Sequence, residues 1–182
     1  MTYLSPQSEP VRISSNYARS PDDRLRCIQL LMAHPFFSLS KTPRLTPIDY
    51  ANGTAAILVE ATGVHGIATI WDADILIWAA SQIMRNLEFG NAGRARLIET
   101  RPHEILSTLD WGHSKRSYER LRAGLARLSA TRITTSLGPG AAEGLRHFHW
   151  IDEWRELKDS GNRSAGLEII VSEWLYGAIV AP

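Results

Sequence analysis

Two groups of side chains in this sequence have the residue types and spacing for chemistry. The first is His147-Phe148-His149. Residues two apart on a strand share a face, so both imidazoles would point to one side, the arrangement that holds a divalent ion in metal-dependent DNA nicking. Such chemistry also needs a tyrosine nucleophile on a helix, usually with a lysine nearby. Tyr176 is followed by Gly177-Ala178-Ile179-Val180, so that half of the site is missing. The second group is the cationic run from Ser114 to Leu128. Here Tyr118, Leu121, Leu125 and Leu128 recur at helical spacing and must share one face. Arg116, Arg120, Ala123 and Arg127 lie opposite, flanked by Lys115 and Arg122. Long cations around a small residue let a helix approach phosphates and base edges closely. Glu119 is the acid within the run, placed to pair with Arg116 or Arg122.

The elements that must position this helix lie on both sides of it. Trp111-Gly112-His113 reads as a tight turn and Ser114 as the N-cap. Upstream, Pro102 to Leu109 reads as a short helix with Pro in its first turn, separated by the few residues that a helix-turn-helix allows. Downstream, Thr131 to Leu137 alternates and is β-branched, Gly138-Pro139-Gly140-Ala141-Ala142-Glu143-Gly144 breaks it, and Leu145 to Ile151 reads as the return strand. The expectation is an α+β fold: a winged helix-turn-helix with a helical core, a small antiparallel sheet and a β-wing. Ser114, Lys115, Arg116, Ser117, Arg120, Arg122 and Arg127 are the expected DNA contacts, with Arg132 and Arg146 near the base of the wing.

The rest of the chain supplies a core. Residues 1–20, rich in Ser and Pro without a period, read as a mobile tail, and residues 21–182 as one domain. Asp22-Asp23 opens a helical segment with Leu25, Ile28, Leu31 and Met32 at helix spacing. Ala55 to Thr62 and Ile67 to Trp71 read as a hairpin around Gly63-Val64-His65-Gly66. Ile75 to Met84, capped by Asp72 or Asp74, is apolar nearly all round and reads as the central helix. Asn86 to Arg96 reads as a polar loop in which Arg85, Arg94 and Arg96 offer a second phosphate contact. Glu153 to Gly166 reads as a charged loop, Leu167 to Val171 as a strand, and Ser172-Glu173 as the start of an apolar helix that the chain end cuts off, as if more protein followed.

Composition bounds the partners. Twenty Lys and Arg against nineteen Asp and Glu leave a net charge of +1, so attraction to nucleic acid must come from local clustering. One cysteine, Cys27, excludes an intramolecular disulfide and fits a reducing compartment. With no signal-like start and no run of membrane-spanning length, a cytoplasmic protein is expected. No Gly-rich phosphate loop of the G-x-x-x-x-G-K-[ST] type occurs, so ATP-driven unwinding is not indicated and no cofactor is expected. Asp72 and Asp74 with Glu60 lack a complete metal ligand set, and two acids at a helix start read as a cap and a dipole partner.

Several runs together resemble the replication initiator protein A family of bacterial plasmids. They are His34-Pro-Phe-Phe-Ser-Leu-Ser-Lys41, Gly66 through Trp78 with Ser81-Gln82, Ser117-Tyr118 through Leu128 with Thr131 and Thr134-Thr135, Phe148 through Asp152, and Leu167 to Tyr176. The resemblance covers about Ala33 to the end. It implies a non-enzymatic initiator that binds double-stranded origin DNA through winged helices, self-associates as a homodimer, and recruits a host initiator and replicative helicase. Family members are usually longer, with a further winged-helix-like region, so the chain looks like an N-terminal half. Two other readings accompany it. One is a dimerisation module gripping mainly the DNA backbone, suggested by the apolar density of Ala55 to Trp71 and Leu167 to Leu175. The other is an HUH-type rolling-circle nickase using His147 and His149.

Overall fold

The computed structural model describes residues 29–90 and 96–180. β1 (Ile48–Asn52) and β2 (Ala55–Ala61) form a hairpin closed by the two-residue turn Gly53-Thr54 between the paired residues Asn52 and Ala55. The Asn52 side-chain oxygen accepts from the backbone N–H groups of Thr54 at 3.2 Å and Ala55 at 2.9 Å. β4 (Thr131–Thr135) pairs antiparallel with β2, and β5 (Arg146–His149) with β4, giving the order β1-β2-β4-β5. β3 (Leu97–Thr100), β6 (Ile151–Lys158) and β7 (Ser164–Val171) form a second antiparallel sheet in the order β3-β7-β6. The helices are α1 (Ala73–Glu88), α2 (Pro102–Thr108), α3 (Lys115–Ala130) and α4 (Glu173–Val180). This is an α+β fold with two antiparallel sheets.

α1 is the central helix. It buries Ile75, Leu76, Trp78, Ile83 and Met84 and contacts α2, β3 and α4. Each such side chain contributes on the order of 1.5–3 kcal/mol on leaving water. α3 buries Leu121, Leu125 and Leu128 and packs on α2, β4, β5 and β6, with Tyr118 half-buried against the same core. Where the chain leaves the first sheet for the second, Trp150 is fully buried. Its N–H donates to Leu128 at 3.2 Å and its carbonyl accepts from Ser172 at 3.1 Å. Its ring stacks on Phe37 at 5.2 Å and meets Phe36 and Trp174 edge-on at 5.6 and 5.9 Å.

Several expected elements differ. Ile67 to Trp71 does not return along β2. Ser38 N–H donates to Ala68, Ile70 N–H donates to Ser38, and Ile67 N–H donates to Arg44, so this run pairs with the aromatic and basic segment before it. Gly66 permits that pairing: at φ +78°, its Cα lies against the Arg44 backbone, and a Cβ there would sit 2.9 Å from Arg44 N and O. The strand partner of β2 is Ile48–Asn52 instead. Glu153 to Gly166 is mostly strand, split between β6 and β7 around an Asp159 turn whose side chain accepts from the N–H groups of Gly161 (2.8 Å) and Arg163 (3.0 Å). Its charges are strand-face partners, Arg155 with Glu168 on β7 and Glu156 with Arg122 on α3.

α1 continues through Glu88, so the expected loop begins later, and residues 91–95, Arg94 among them, lie outside the described residues. The expected tail at 1–20 and most of the helical segment from Asp22 lie outside them too; residues 29–33 of that segment are helical or turn. Asp72 occupies the N-cap position of α1 but makes no side-chain cap bond there.

The Gly/Pro-rich segment after Leu137 joins β4 to β5, but the expected return strand from Leu145 to Ile151 breaks at Trp150, where the chain crosses to the other sheet, and the tip is held to α4. Trp174 Nε1 donates to the Leu137 carbonyl at 3.2 Å, and a Cβ on Gly138, at φ +78°, would lie 2.5 Å from Trp174 Cζ2. Gly138→Ala therefore combines a left-handed backbone with a clash against a buried ring. It is expected to cost about 2 kcal/mol or more, read as a lowered urea midpoint; an unchanged midpoint would show that the tip does not bear on α4.

Candidate nucleic-acid interface

α2 and α3 are joined by a turn that needs two left-handed residues, Asp110 at φ 54° and Gly112 at φ 73°. Trp111 between them donates its N–H to Leu106 at 3.0 Å. α2 itself is started by Pro102 and by Glu104, whose carboxylate accepts from the Thr100 hydroxyl at 2.8 Å and the Arg101 N–H at 3.2 Å. Those two bonds, the hydroxyl first, hold the Glu104 carboxyl below the usual carboxylate range. Ser114 caps α3 as its sequence position implies, accepting from Ser117 N–H at 3.2 Å. The Ser117 hydroxyl donates to the Trp111 carbonyl at 2.9 Å and is buried. Both serines, expected as DNA contacts, thus build the turn, and Ser117 faces inward.

The cations of α3 divide along its length. Lys115, Arg116 and Arg120 are exposed in its first half. Lys115 lies 3.9 Å from Glu119, the partner that the sequence assigned to Arg116 or Arg122. Arg120 lies over the Trp111 ring, 3.6 Å from its centroid, a cation–π contact that orients the guanidinium and leaves its charge uncancelled. Among the described residues Arg116 has no ion-pair partner.

From Arg122 onward the cations are tied down. Arg122 pairs with Glu156 at 2.6 Å. Arg127, expected to reach DNA, turns inward: its Nε and Nη2 donate to both oxygens of Asp72 at 2.7 and 2.8 Å. Its side chain is 19% exposed and that of Asp72 is 3% exposed. The bond to Asp72 raises the Arg127 pKa against the opposing effect of burial, so the guanidinium stays charged. The reason for the inward turn is an unsatisfied acid: Asp72 also accepts from the Thr69 N–H and hydroxyl, and a carboxylate this buried requires a cation.

The remaining expected contacts lie on the first sheet. Arg132 pairs with Glu60 at 3.1 Å across β2 and β4, and Arg146 with Glu143 at 3.5 Å. Arg96 bonds Asp152 and the Val171 carbonyl. His147 shares a hydrogen bond with Thr134 at 2.9 Å, and Tyr176 packs against the core from α4. Among the described residues no group of three or more His, Cys, Asp or Glu side chains is arranged to hold a metal ion, and no helix is long and apolar enough to cross a membrane. Asp110 and the Trp111 platform under Arg120 were not singled out by sequence; a helix-turn-helix spacing that demands a left-handed residue besides Gly112 was the available signal.

This arrangement of helices and two antiparallel sheets is similar in fold to crystal structures of domains 2 and 3 of RctB. One, of domains 2-3, has a TM-score of 0.55 at 11% identity over 80% of this chain and 57% of that chain. Another, of selenomethionine derivatives, has a TM-score of 0.51 at 12% identity over 75% and 56%. The family model described as Replication initiator protein A matches residues 28–182, and the chain belongs to that family. A curated relative described as a "Putative replication protein" from Wigglesworthia glossinidia brevipalpis is 34% identical over 152 residues, 81% of this chain and 54% of the relative. The chain therefore spans about half the length of that relative.

Asp72→Ala leaves the Arg127 guanidinium without its buried partner. A loss of about 3 kcal/mol is expected by urea denaturation, and a loss within experimental error would mean that the pair does not fix α3.

Proposed function

We propose that the chain is a DNA-binding unit of a replication initiator, acting by binding rather than catalysis, and that α3 enters the major groove of origin DNA with its first half. The observation that carries this reading is the division of α3: Arg116 and Arg120 are exposed with no acid partner among the described residues, while Arg122 and Arg127 are paired to Glu156 and Asp72. The order α1, β3, α2, α3, β6, β7, with its β3-β7-β6 sheet, supports reading this part of the chain as a winged helix. On that reading the wing is the β6–β7 turn at residues 159–163, preceded by Lys158 and holding the Arg163–Asp159 pair, and not the β4–β5 hairpin that the sequence suggested, which belongs to the other sheet. We include in the proposal a homodimer on repeated sites that contacts a host initiator and replicative helicase.

The test is titration of a duplex selected from a randomised library, beside a scrambled duplex, over a salt series. Arg116→Ala with Arg120→Ala is expected to lower duplex affinity at least tenfold and to reduce the slope of log K against log salt by about 2, roughly 0.9 for each phosphate no longer neutralised. The melting temperature should fall by only a few degrees, since the cation–π pairing of Arg120 with Trp111 is worth about 0.5–1 kcal/mol. Affinity falling in proportion to folding would make these arginines structural. A chain that grips only the backbone would show the same slope with no preference between the duplexes.

A further inference from the structure

Beside the first half of α3, the segment at residues 40–43 forms the other wall of a cleft of about 700 Å³. Its charge is of one sign. Lys41, Arg116 and Arg120 line it, and the acid in its wall, Asp72, is neutralised by Arg127. At its edge stands Trp71, 40% exposed, whereas Trp78, Trp150 and Trp174 are buried and Trp111 and Trp154 half-buried. Trp111, the other indole of the cleft, is covered by Arg120, so Trp71 is the one whose ring has free surface for a ligand to stack on.

The loop wall is built in advance. Ser40 N–H donates to the Ser38 hydroxyl at 3.1 Å, and Thr42 N–H to the Ser40 hydroxyl at 3.2 Å. Ser38 is itself paired with residues 68 and 70, next to Trp71. Lys41 and Trp71 are therefore carried by two backbone segments bonded to each other, and little ordering is needed when a ligand enters.

The combination of cations and an exposed ring distinguishes ligands. A duplex offers phosphates but keeps its base faces within the stack, so it gives an exposed indole nothing to cover it. An unpaired nucleotide offers both a phosphate and a free π-face, and stacking on an aromatic side chain is the usual mode of single-strand binding. The cleft is of a size for such a unit. We propose that it binds an unpaired nucleotide of a single DNA strand, with its phosphate at Lys41 and Arg116 and its base stacked on Trp71. This rests on the reading of α3 as the DNA-facing helix, and it gives the protein a hold on melted DNA beside its duplex surface.

The test uses the full chain and fluorescence anisotropy with labelled (dT)10, with the selected duplex, and with thymidine 5′-monophosphate as competitor. Trp71→Ala is expected to weaken (dT)10 binding about tenfold while duplex affinity stays within twofold. Trp71→Phe should retain most of the single-strand affinity, and Lys41→Ala should weaken it with a shallower salt dependence. Circular dichroism of each variant checks the fold. Unchanged (dT)10 affinity in Trp71→Ala, or equal loss on both DNAs, overturns the proposal. Monophosphate competing as well as (dT)10 would assign the cleft to a free nucleotide and overturn the strand assignment. Duplex binding without (dT)10 binding sinks the cleft proposal alone; Trp71-dependent (dT)10 binding without duplex binding sinks the duplex reading and leaves the cleft standing.

Discussion

The buried pair between Asp72 and Arg127 is the interaction on which the presentation of α3 depends. It joins the residue before α1 to the last turn of α3, and Thr69 completes the hydrogen bonding of the carboxylate. The approach is close because position 124 has no side chain: a Cβ there would lie 2.8 Å from Ile75 Cδ1 and 3.0 Å from Asp72 Oδ1. Burying two charges costs nearly what their attraction returns, so such a pair adds little net stability. Its effect is positional. α3 can be rotated or shifted only by leaving a carboxylate or a guanidinium unpaired out of water, so the pair fixes the helix in the position where Arg116 and Arg120, nearer its start, stay exposed.

A second constraint lies where the two sheets meet. Trp150 sits where the backbone passes from β5 to β6, enclosed by Phe36, Phe37, Phe148 and Trp174. Its backbone is bonded to the end of α3 on one side and to the residue before α4 on the other. The aromatic segment before β1 thus packs into the junction between the sheets, and the basic residues that follow it are carried to the side of α3. Lys41 reaches the cleft by this route although 74 positions (115 minus 41) separate it from the start of α3.

Charge is sorted by the same packing. With a net charge of +1 the molecule has no general attraction for polyanions. Pairing removes cations from most of the surface: Arg122 with Glu156, Arg132 with Glu60, Arg155 with Glu168, Arg96 with Asp152. Lys41, Arg116 and Arg120, which carry no acid partner in these pairs, meet at one cleft between the start of α3 and the facing loop. A local field of this kind steers association over about a Debye length, roughly 8–10 Å in physiological salt, which is enough to orient a strand that is already near.

The elements that the sequence determined by itself are those fixed by local periodicity and caps. The span of α3, its Ser114 cap, its apolar stripe, the apolar core helix and the short helix begun by Pro102 are all legible, because each depends on neighbours within a few residues. The β1–β2 hairpin was not among them, because the apolar run at Ile67 to Trp71 competed with Ile48–Asn52 as the partner of β2. Tertiary structure alone decided which strands share a sheet, which hairpin extends the β3 sheet, and which arginines face solvent. Arg116 and Arg127 are alike by type and by helical face, yet one is exposed and the other is half-buried against an acid 55 residues away. Helical spacing specifies a direction around the axis. The acid that waits in that direction is set by how distant segments pack, and the cost of leaving it unpaired out of water selects the arginine that turns inward.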